Sequence, residues 1–117
     1  MSPKIRQREQ DIQKAVMEIL EWNGFVVVKV NNGGIRKENG QFIPPRRKGV
    51  SDILACSPAG RFWAIEVKRP DGVTSPEQER FIEDVKSKGG IGFVVRSVDE
   101  MTSIIENHKK FGLNIKT

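Results

Sequence analysis

The stretch that decides the fold is "GVSDILACSPAGRFWAIEVK", residues 49–68. It holds two apolar, strand-like runs separated by "SPAGR". Proline suits the first central position of a type I turn, and glycine suits the left-handed position that follows, which is the signature of a three-residue hairpin loop with a bulge. If Ser57 and Arg61 close this turn, Asp52 lies directly across from Glu66 on the neighbouring strand.

The predicted register puts three charged side chains on one face of the hairpin. Asp52, Glu66 and Lys68 share that face because side chains alternate along a strand. Two carboxylates directly opposite each other repel, so either one of them is protonated or a cation lies between them. Lys68 supplies a single positive charge, whereas a divalent ion such as Mg²⁺, which takes one or two carboxylates plus waters, balances both acids. The alternative is a solvent-exposed cluster of charges at the end of the sheet.

Apolar residues occupy most of the other hairpin positions. The face opposite the carboxylates pairs Ile53 with Ile65 and Ala55 with Trp63. The charged face continues into Leu54, Cys56, Phe62 and Ala64. We therefore expect both faces to be largely covered, as in the central strands of a sheet, with the lone cysteine a small core residue. The two tryptophans, Trp22 and Trp63, are also expected in the core.

The rest of the chain alternates helical and strand patterns. The first half predicts a helix over 4–22, a strand over 25–30, a turn-rich loop and a short strand at 41–43, followed by the hairpin strands 50–56 and 61–68. The second half predicts a helix capped by Ser75 and ended by Gly89, and then a strand over 91–95. A third helix follows, with Ser97 and Glu100 as its capping box. With the short strand at 41–43 left out, the order is α-β-β-β-α-β-α, which predicts an α/β fold with a mixed sheet flanked by helices, in one domain over residues 1–117.

Charge is unevenly distributed along the chain. The net charge is +5, and the segment 29–48 alone accounts for it. That segment contains one acidic residue, Glu38, and six basic ones: Lys29, Arg36, Lys37, Arg46, Arg47 and Lys48. Because the segment is also rich in Gly, Asn and Pro, it indicates a mobile loop that meets a polyanion. The alternative is a solvated loop that is basic by chance.

Composition bounds the class of protein. Hydrophobic residues make up 37% of the chain and charged residues 30%, which is ordinary for a soluble globular protein. No apolar run approaches the length of a membrane span, and the N-terminal residues lack the apolar stretch of a signal peptide. A lone cysteine cannot form an internal disulfide. The expected compartment is therefore the cytoplasm or a nucleus.

Two outlying polar residues point to the same site. Glu9 sits on the apolar face of the first helix near its start, where a glutamate also simply suits the positive end of the helix dipole. Gln78 sits on the inward face of the second helix, where it is equally a capping-box partner of Ser75. The sequence alone leaves both alternatives open.

The order of these residues resembles a known nuclease family. An aspartate followed by Glu-x-Lys is the signature of the PD-(D/E)xK nucleases, and the closer resemblance is to the stand-alone viral-type replication-repair nuclease domain, VRR-NUC. Four elements carry it in order: Glu9-Gln10-Asp11-Ile12-Gln13, Gly49-Val50-Ser51-Asp52, Glu66-Val67-Lys68 and Gln78-Glu79-Arg80-Phe81. The resemblance runs from about residue 8 to residue 95. The proline often found before the aspartate in the wider group is Ser51 here.

The resemblance implies a restriction-endonuclease-like fold and Mg²⁺- or Mn²⁺-dependent hydrolysis of DNA phosphodiester bonds. By that resemblance Asp52, Glu66 and the carbonyl of Val67 would hold the metal. Glu9 would be a direct or a water-mediated ligand. DNA would be held by basic residues of the segment described above: Arg36, Lys37, Arg46, Arg47 and Lys48.

Further roles follow from the same resemblance. Lys68 would orient or help deprotonate the attacking water, and Gln78 would position water or phosphate. Stand-alone members of the family resemble Holliday-junction resolvases that work as homodimers. Since one chain carries one site and a junction needs two coordinated cuts, a C2 dimer is expected. The expected location becomes the cytoplasm of a bacterial or phage-infected host cell, with no membrane partner.

Two other functions remain open. One is a nicking or flap nuclease on the same fold. The other, from a different class, is a DNA-binding module without catalytic activity, against which the intact Asp52, Glu66 and Lys68 argue.

Overall fold

The computed structural model describes residues 8–31 and 33–110, with the side chain of residue 110 left out. Its elements follow in chain order: α1 (Glu9–Trp22), β1 (Val26–Lys29), β2 (Ile35–Arg36), β3 (Phe42–Ile43), β4 (Ile53–Cys56), β5 (Phe62–Val67), α2 (Pro76–Ser87), β6 (Ile91–Val95) and α3 (Val98–Lys110). The predicted α/β fold with a mixed sheet flanked by helices is confirmed. Before α2 the structure has five strands, which are the three of the predicted order, the short strand predicted at 41–43 and β2. Residues 4–7 of the predicted first helix lie outside the described residues.

The main sheet has the strand order β1-β4-β5-β6. Strands β1, β4 and β5 are antiparallel neighbours, whereas β6 runs parallel to β5, and α2 supplies the crossover that a parallel pair requires. The hairpin has the predicted register, with Ile53 opposite Ile65. Its turn is closed by the Ser57 amide, which donates to the Arg61 carbonyl at 2.9 Å, and Gly60 takes the left-handed conformation at φ +85°.

The core lies on the sheet face that α1 and α3 cover. Its fully buried side chains come from all of these layers: Ile12, Val16, Leu20, Ile53, Trp63, Ile65, Val67, Val95 and Met101. Trp63 lies in the core as predicted and is the largest of these side chains. Its ring meets Phe25 edge-on at a centroid distance of 4.9 Å and His108 at the same distance. This packing fixes β5, and with it the positions of the charged residues on the strand's other face.

The opposite sheet face is only half covered. Helix α2 packs on β5 and β6, where a Cβ on Gly92 would lie 3.1 Å from Ile82 Cγ2. A helix about 10–12 Å across covers roughly two strands spaced about 4.8 Å apart, so β1 and β4 stay open on this side. Val26 is 70% exposed and Cys56 is exposed. The expectations of a largely covered face and of a core cysteine are therefore wrong.

Trp22 also departs from its expected place in the core. Its side chain is 89% exposed. The buried stripe of α1 is formed by Ile12, Val16 and Leu20 at four-residue spacing. Trp22 lies two residues past Leu20, about 200° around the helix, and so it faces solvent.

The basic segment is more ordered than a mobile loop. Strands β2 and β3 pair Ile35 with Ile43 and Arg36 with Phe42, which confirms the short strand at 41–43 and adds a partner that was predicted as loop. The connecting turn has the Lys37 amide donating to the Gln41 carbonyl at 2.8 Å.

Gly49 joins this segment to the hairpin. It has φ +82°, and a Cβ there would lie 2.4 Å from the carbonyl carbon of Glu77. Only glycine permits both this conformation and this close approach. The backbone three residues before Asp52 is therefore packed against the first turn of α2, which fixes where β4 begins.

No helix in the described ranges is long and apolar enough to cross a membrane.

Candidate active site

Asp52 lies at the residue before β4, and its carboxylate is held by the neighbouring strand. Its backbone carbonyl accepts from the Val30 amide at 2.8 Å, which keeps it in line with the sheet. Its Oδ2 accepts a hydrogen bond from the Val67 amide at 3.0 Å. The carboxylate of Asp52 therefore reaches across to the end of β5, beside Glu66.

Glu66 is buried, with 1% of its side chain exposed. Its Oε1 accepts a hydrogen bond from Gln78 Nε2 at 2.9 Å and lies 3.9 Å from Lys68 Nζ. Its Oε2 is buried and has no hydrogen-bond partner in the part of the chain that the structure describes. A solvent-exposed charge cluster, the alternative that the sequence left open, does not describe this carboxylate.

Burial and like charge both favour the protonated form of Glu66. The pKa of Glu66 is raised from 4.5 to about 8; burial contributes most to this rise, the neighbouring Asp52 carboxylate adds to it, and Lys68 opposes it. The carboxyl therefore holds its proton at neutral pH when no cation is near. Protonation of one acid and binding of a cation were the two ways to relieve the repulsion between the opposed carboxylates. Without a cation, protonation of Glu66 relieves it.

Val67 and Lys68 extend the site along β5. The Lys68 amide donates to the Val95 carbonyl at 3.0 Å, toward β6, whereas the Val67 amide points the other way, to Asp52. Because the N–H and C=O of one strand residue face the same neighbour, the Val67 carbonyl is directed to the Asp52 side of β5. Lys68 keeps 16% of its side chain exposed, so its ammonium group borders both Glu66 and solvent.

Gln78 is the predicted capping-box partner of Ser75 and also contacts the acidic site, whereas its role toward water or phosphate stays a prediction. Its Oε1 accepts from the Ser75 amide at 2.8 Å while its own amide donates to Ser75 Oγ at 3.1 Å, a complete capping box at the start of α2. Its Nε2 donates to Glu66 Oε1. The cap of α2 and the orientation of the buried carboxyl therefore depend on one side chain.

Glu9 lies at the edge of this site. It is the first residue of α1, and its Oε1 accepts from the Arg69 amide at 3.3 Å, next to Lys68 in the chain. Within residues 8–31 and 33–110, no group of three or more His, Cys, Asp or Glu side chains is arranged to hold a metal ion. The structure thus brings two carboxylates together rather than three, and a ligand role for Glu9 stays a prediction.

The predicted DNA-binding residues fall into two groups. All five are exposed, and Arg47 and Arg36 differ from Lys37, Arg46 and Lys48 in the contacts that they make with other residues. Arg47 is instead paired with Asp84 of α2, and its guanidinium lies 5.0 Å from the centre of the Phe81 ring. Arg36 lies over Phe42 and donates to the Gly40 carbonyl at 3.2 Å. Contact with DNA stays a prediction for all five.

The sequence reasoning missed two residues beside the site. Arg96 follows β6, and its Nη1 donates to the carbonyls of Arg69 at 2.9 Å and Gly72 at 2.6 Å, which holds the loop after Lys68. A basic residue at the end of a strand is common, so the sequence pattern alone did not indicate that Arg96 lies beside the site. Ser51 is fully buried, and its hydroxyl has no partner among the described residues, an environment that suits the proline found there in the wider group.

Comparisons with known proteins agree with this geometry. The family model of the VRR-NUC domain matches residues 7–99. The chain belongs to the VRR-NUC family. Membership confirms the resemblance seen in the sequence and implies a nuclease of the PD-(D/E)xK type.

Solved structures give the same result. A structure described as a VRR_NUC domain is 29% identical, covers 84% of this chain and 94% of its own, and superposes with a TM-score of 0.65. A VRR_NUC domain protein at 17% identity covers 90% of each chain with a TM-score of 0.61, which supports the fold. No curated protein matches the chain.

The raised pKa of Glu66 predicts a pH dependence of stability. The folded chain binds this proton more tightly than the unfolded chain, so the contribution of Glu66 is fully present below pH 4.5 and is lost as pH rises through about 8. In Glu66→Gln, the free energy of unfolding relative to wild type should therefore rise between these limits and level off above them. Urea unfolding in EDTA across this range measures the difference, with the exposed α3 residue changed in Glu106→Gln as control. A difference that does not vary with pH would contradict the assignment.

Proposed function

We propose that this chain is a DNA endonuclease that hydrolyses phosphodiester bonds at the Asp52–Glu66–Lys68 site with Mg²⁺ or Mn²⁺. The observation that carries the proposal is the buried carboxyl of Glu66, set across from Asp52 in a fold of the VRR-NUC family, with one oxygen to which no described residue donates a hydrogen bond. Buried polar atoms are rarely left without a partner, and such exceptions mark functional positions or an absent ion.

The donor set fits a hard divalent cation. The carboxylates of Asp52 and Glu66 and the carbonyl of Val67 are all oxygen ligands, which Mg²⁺ and Mn²⁺ prefer. They would hold the ion, with waters completing its shell. A bound ion of this kind lowers the pKa of water and offsets charge that develops on a phosphate. Its charge would also offset the burial and the neighbouring Asp52 carboxylate that together raise the pKa of Glu66.

Besides a bound metal ion, the site has a positive charge of its own, the ammonium group of Lys68. Its ammonium group lies beside Glu66 and reaches solvent, so it can orient a water toward a phosphate or donate to a phosphate oxygen. Its charge also favours the deprotonated form of Glu66. We assign it the role of ordering the attacking water and stabilising negative charge as the phosphodiester bond breaks.

Gln78 and Glu9 act around this centre. Both the carbonyl and the amide of the Gln78 side chain are engaged, which supports a role in holding Glu66 in place ahead of a role in touching water or phosphate. Glu9 braces the backbone after Lys68 through the Arg69 amide. Of its two implied roles, the water-mediated one suits a site built on two carboxylates, and that is the role we propose.

Branched DNA is the proposed substrate, with a four-way Holliday junction preferred and the chain acting as a C2 homodimer in replication, repair or recombination. Exposed apolar side chains on the open sheet face, including Val26 and Val28, support a contact with a second copy. A panel of four-way junction, flap, splayed-arm and duplex DNA tests the preference. Equal cutting of duplex, or a chain that sediments as a monomer while it resolves junctions, would overturn this part of the proposal.

Loss of Asp52 should abolish cleavage without abolishing binding. Asp52→Asn removes one of the two charges at the site, so cutting in Mg²⁺ should fall by at least about a hundredfold, while affinity for DNA stays similar or rises because phosphate repulsion falls. EDTA should stop wild-type cutting, and Mg²⁺ or Mn²⁺ should restore it. Gel cleavage and anisotropy measure the two effects, with Asp99→Asn on exposed α3 as control. Undiminished cutting by Asp52→Asn would remove this active site.

The basic segment should contribute to affinity through phosphate contacts. Each lost contact with a duplex arm lowers the log–log slope of affinity against salt by about 0.9. Replacing exposed Arg46 and Lys48 by alanine should lower it by roughly 2, whereas Arg47→Ala should change it less because Asp84 already pairs with that guanidinium. Titrations of Asp52→Asn protein at several salt concentrations measure the slopes, with Lys109→Ala as control. An unchanged slope in the double variant would mean that the segment is only solvated.

A further inference from the structure

A groove of about 690 Å³ lies on the carboxylate side of the sheet, between α2 and the start of β5. Its size falls within the range of about 300–1,000 Å³ typical of ligand pockets. Phe62, Phe81 and Val85 supply its apolar wall, and Arg47, Asp84 and Lys88 supply its polar one. None of these side chains belongs to the Asp52–Glu66 centre.

The aromatic rings are placed as a binding surface. Phe62 is 45% exposed although it belongs to a central strand, because α2 covers the strand only farther along. Phe81 carries the guanidinium of Arg47 over its ring at 5.0 Å from the centroid. Together they place an exposed aromatic ring and a cation stacked on a second ring in one groove, and planar aromatic ligands stack on groups of both kinds.

The charge around the groove selects the occupant. Asp84 is paired with Arg47, which leaves Lys88 as an exposed cation, and Arg61 is held at the same end by its Nε bond to the Gly89 carbonyl at 2.9 Å. An apolar pocket with a basic rim complements an aromatic ring that carries a phosphate. If a second copy docked here about a two-fold axis, the basic rims of the two copies would face and repel each other. The groove therefore favours a nucleotide over a second copy.

The position of the groove relates it to the cleaved bond. Phe62 and Glu66 lie on the same face of β5, four residues apart, which is about 13 Å at roughly 3.3 Å per residue. That span corresponds to about four nucleotides of a stacked strand at about 3.4 Å each. In duplex DNA the faces of the bases are covered by their neighbours, so only an unpaired, unstacked base can place its face on these rings.

We infer that Phe62, Phe81 and Arg47 form a stacking pocket for an unpaired nucleobase a few nucleotides from the cleaved phosphodiester. The inference rests on the proposed nuclease function and deepens it, because such a pocket would favour DNA with branch points or single-stranded arms over continuous duplex. Arg47, held by Asp84, then contacts DNA by stacking on a base, whereas Arg46 and Lys48 contact phosphates.

Binding measurements test the pocket independently of cleavage. In the Asp52→Asn chain, Phe62→Ala should weaken binding of splayed-arm DNA by roughly 5- to 150-fold, the range expected for one lost stacking contact, and leave fully paired duplex binding unchanged. Phe62→Trp should retain binding of the splayed arm. Trp22→Ala, which removes an exposed aromatic side chain from α1, is the matched control and should change neither. Melting curves check that each variant folds.

A second readout uses the chain with Phe62 intact. A splayed arm with 2-aminopurine placed in turn at each unpaired position should show its largest fluorescence change on binding at one position a few nucleotides from the cut. Equal weakening of splayed-arm and duplex binding by Phe62→Ala, no weakening of either, or a shift of the chain from dimer to monomer would each overturn the pocket. A selective loss of splayed-arm binding, together with no cleavage of any DNA by the wild-type chain in Mg²⁺ or Mn²⁺, would support the pocket and refute the nuclease proposal instead.

Discussion

The register of the β4–β5 hairpin is the constraint on which the rest of the site depends. The Ser57–Arg61 backbone bond closes a three-residue loop, and the left-handed Gly60 permits it. Since a slip of one residue would turn every side chain to the opposite face, this turn decides that Asp52 and Glu66 meet on one face while Ile53 and Ile65 enter the core. The geometry of the five-residue turn therefore determines which side chains of β4 and β5 lie together at the site.

Burying Glu66 beside Asp52 is unfavourable, and several contacts elsewhere in the fold hold the two residues in place. A carboxyl is buried beside another carboxyl, which disfavours its charged form and raises its pKa. Gln78 ties it to the cap of α2, and Gly49 lets the chain before Asp52 pack against the same helix turn. Helix α2 is thus both a cover for half of the sheet and the element that holds the acidic centre in place.

Features encoded by short stretches of sequence could be predicted, and features created by helix placement could not. The turn at Pro58–Gly60 and the cap at Ser75 are local patterns, and each has its predicted structure. The four-element motif predicted the family. Burial of Cys56 was predicted wrongly because nothing in β4 specifies how far α2 extends over the sheet. The pairing of Arg47 with Asp84 joins residues 37 positions apart, and the sequence pattern offers no signal for such a contact.

The central claim is that the opposed carboxylates form a cation site, and metal binding tests it most directly. Calorimetric titration of the DNA-free chain with Mn²⁺ should show one class of sites in wild type and in Glu106→Gln. Binding should be lost or weakened by at least about tenfold in Asp52→Asn and in Glu66→Gln, which remove oxygen ligands of the type that Mn²⁺ prefers. Equal Mn²⁺ affinity in all four proteins would contradict the account and place the ion, and the reaction, elsewhere.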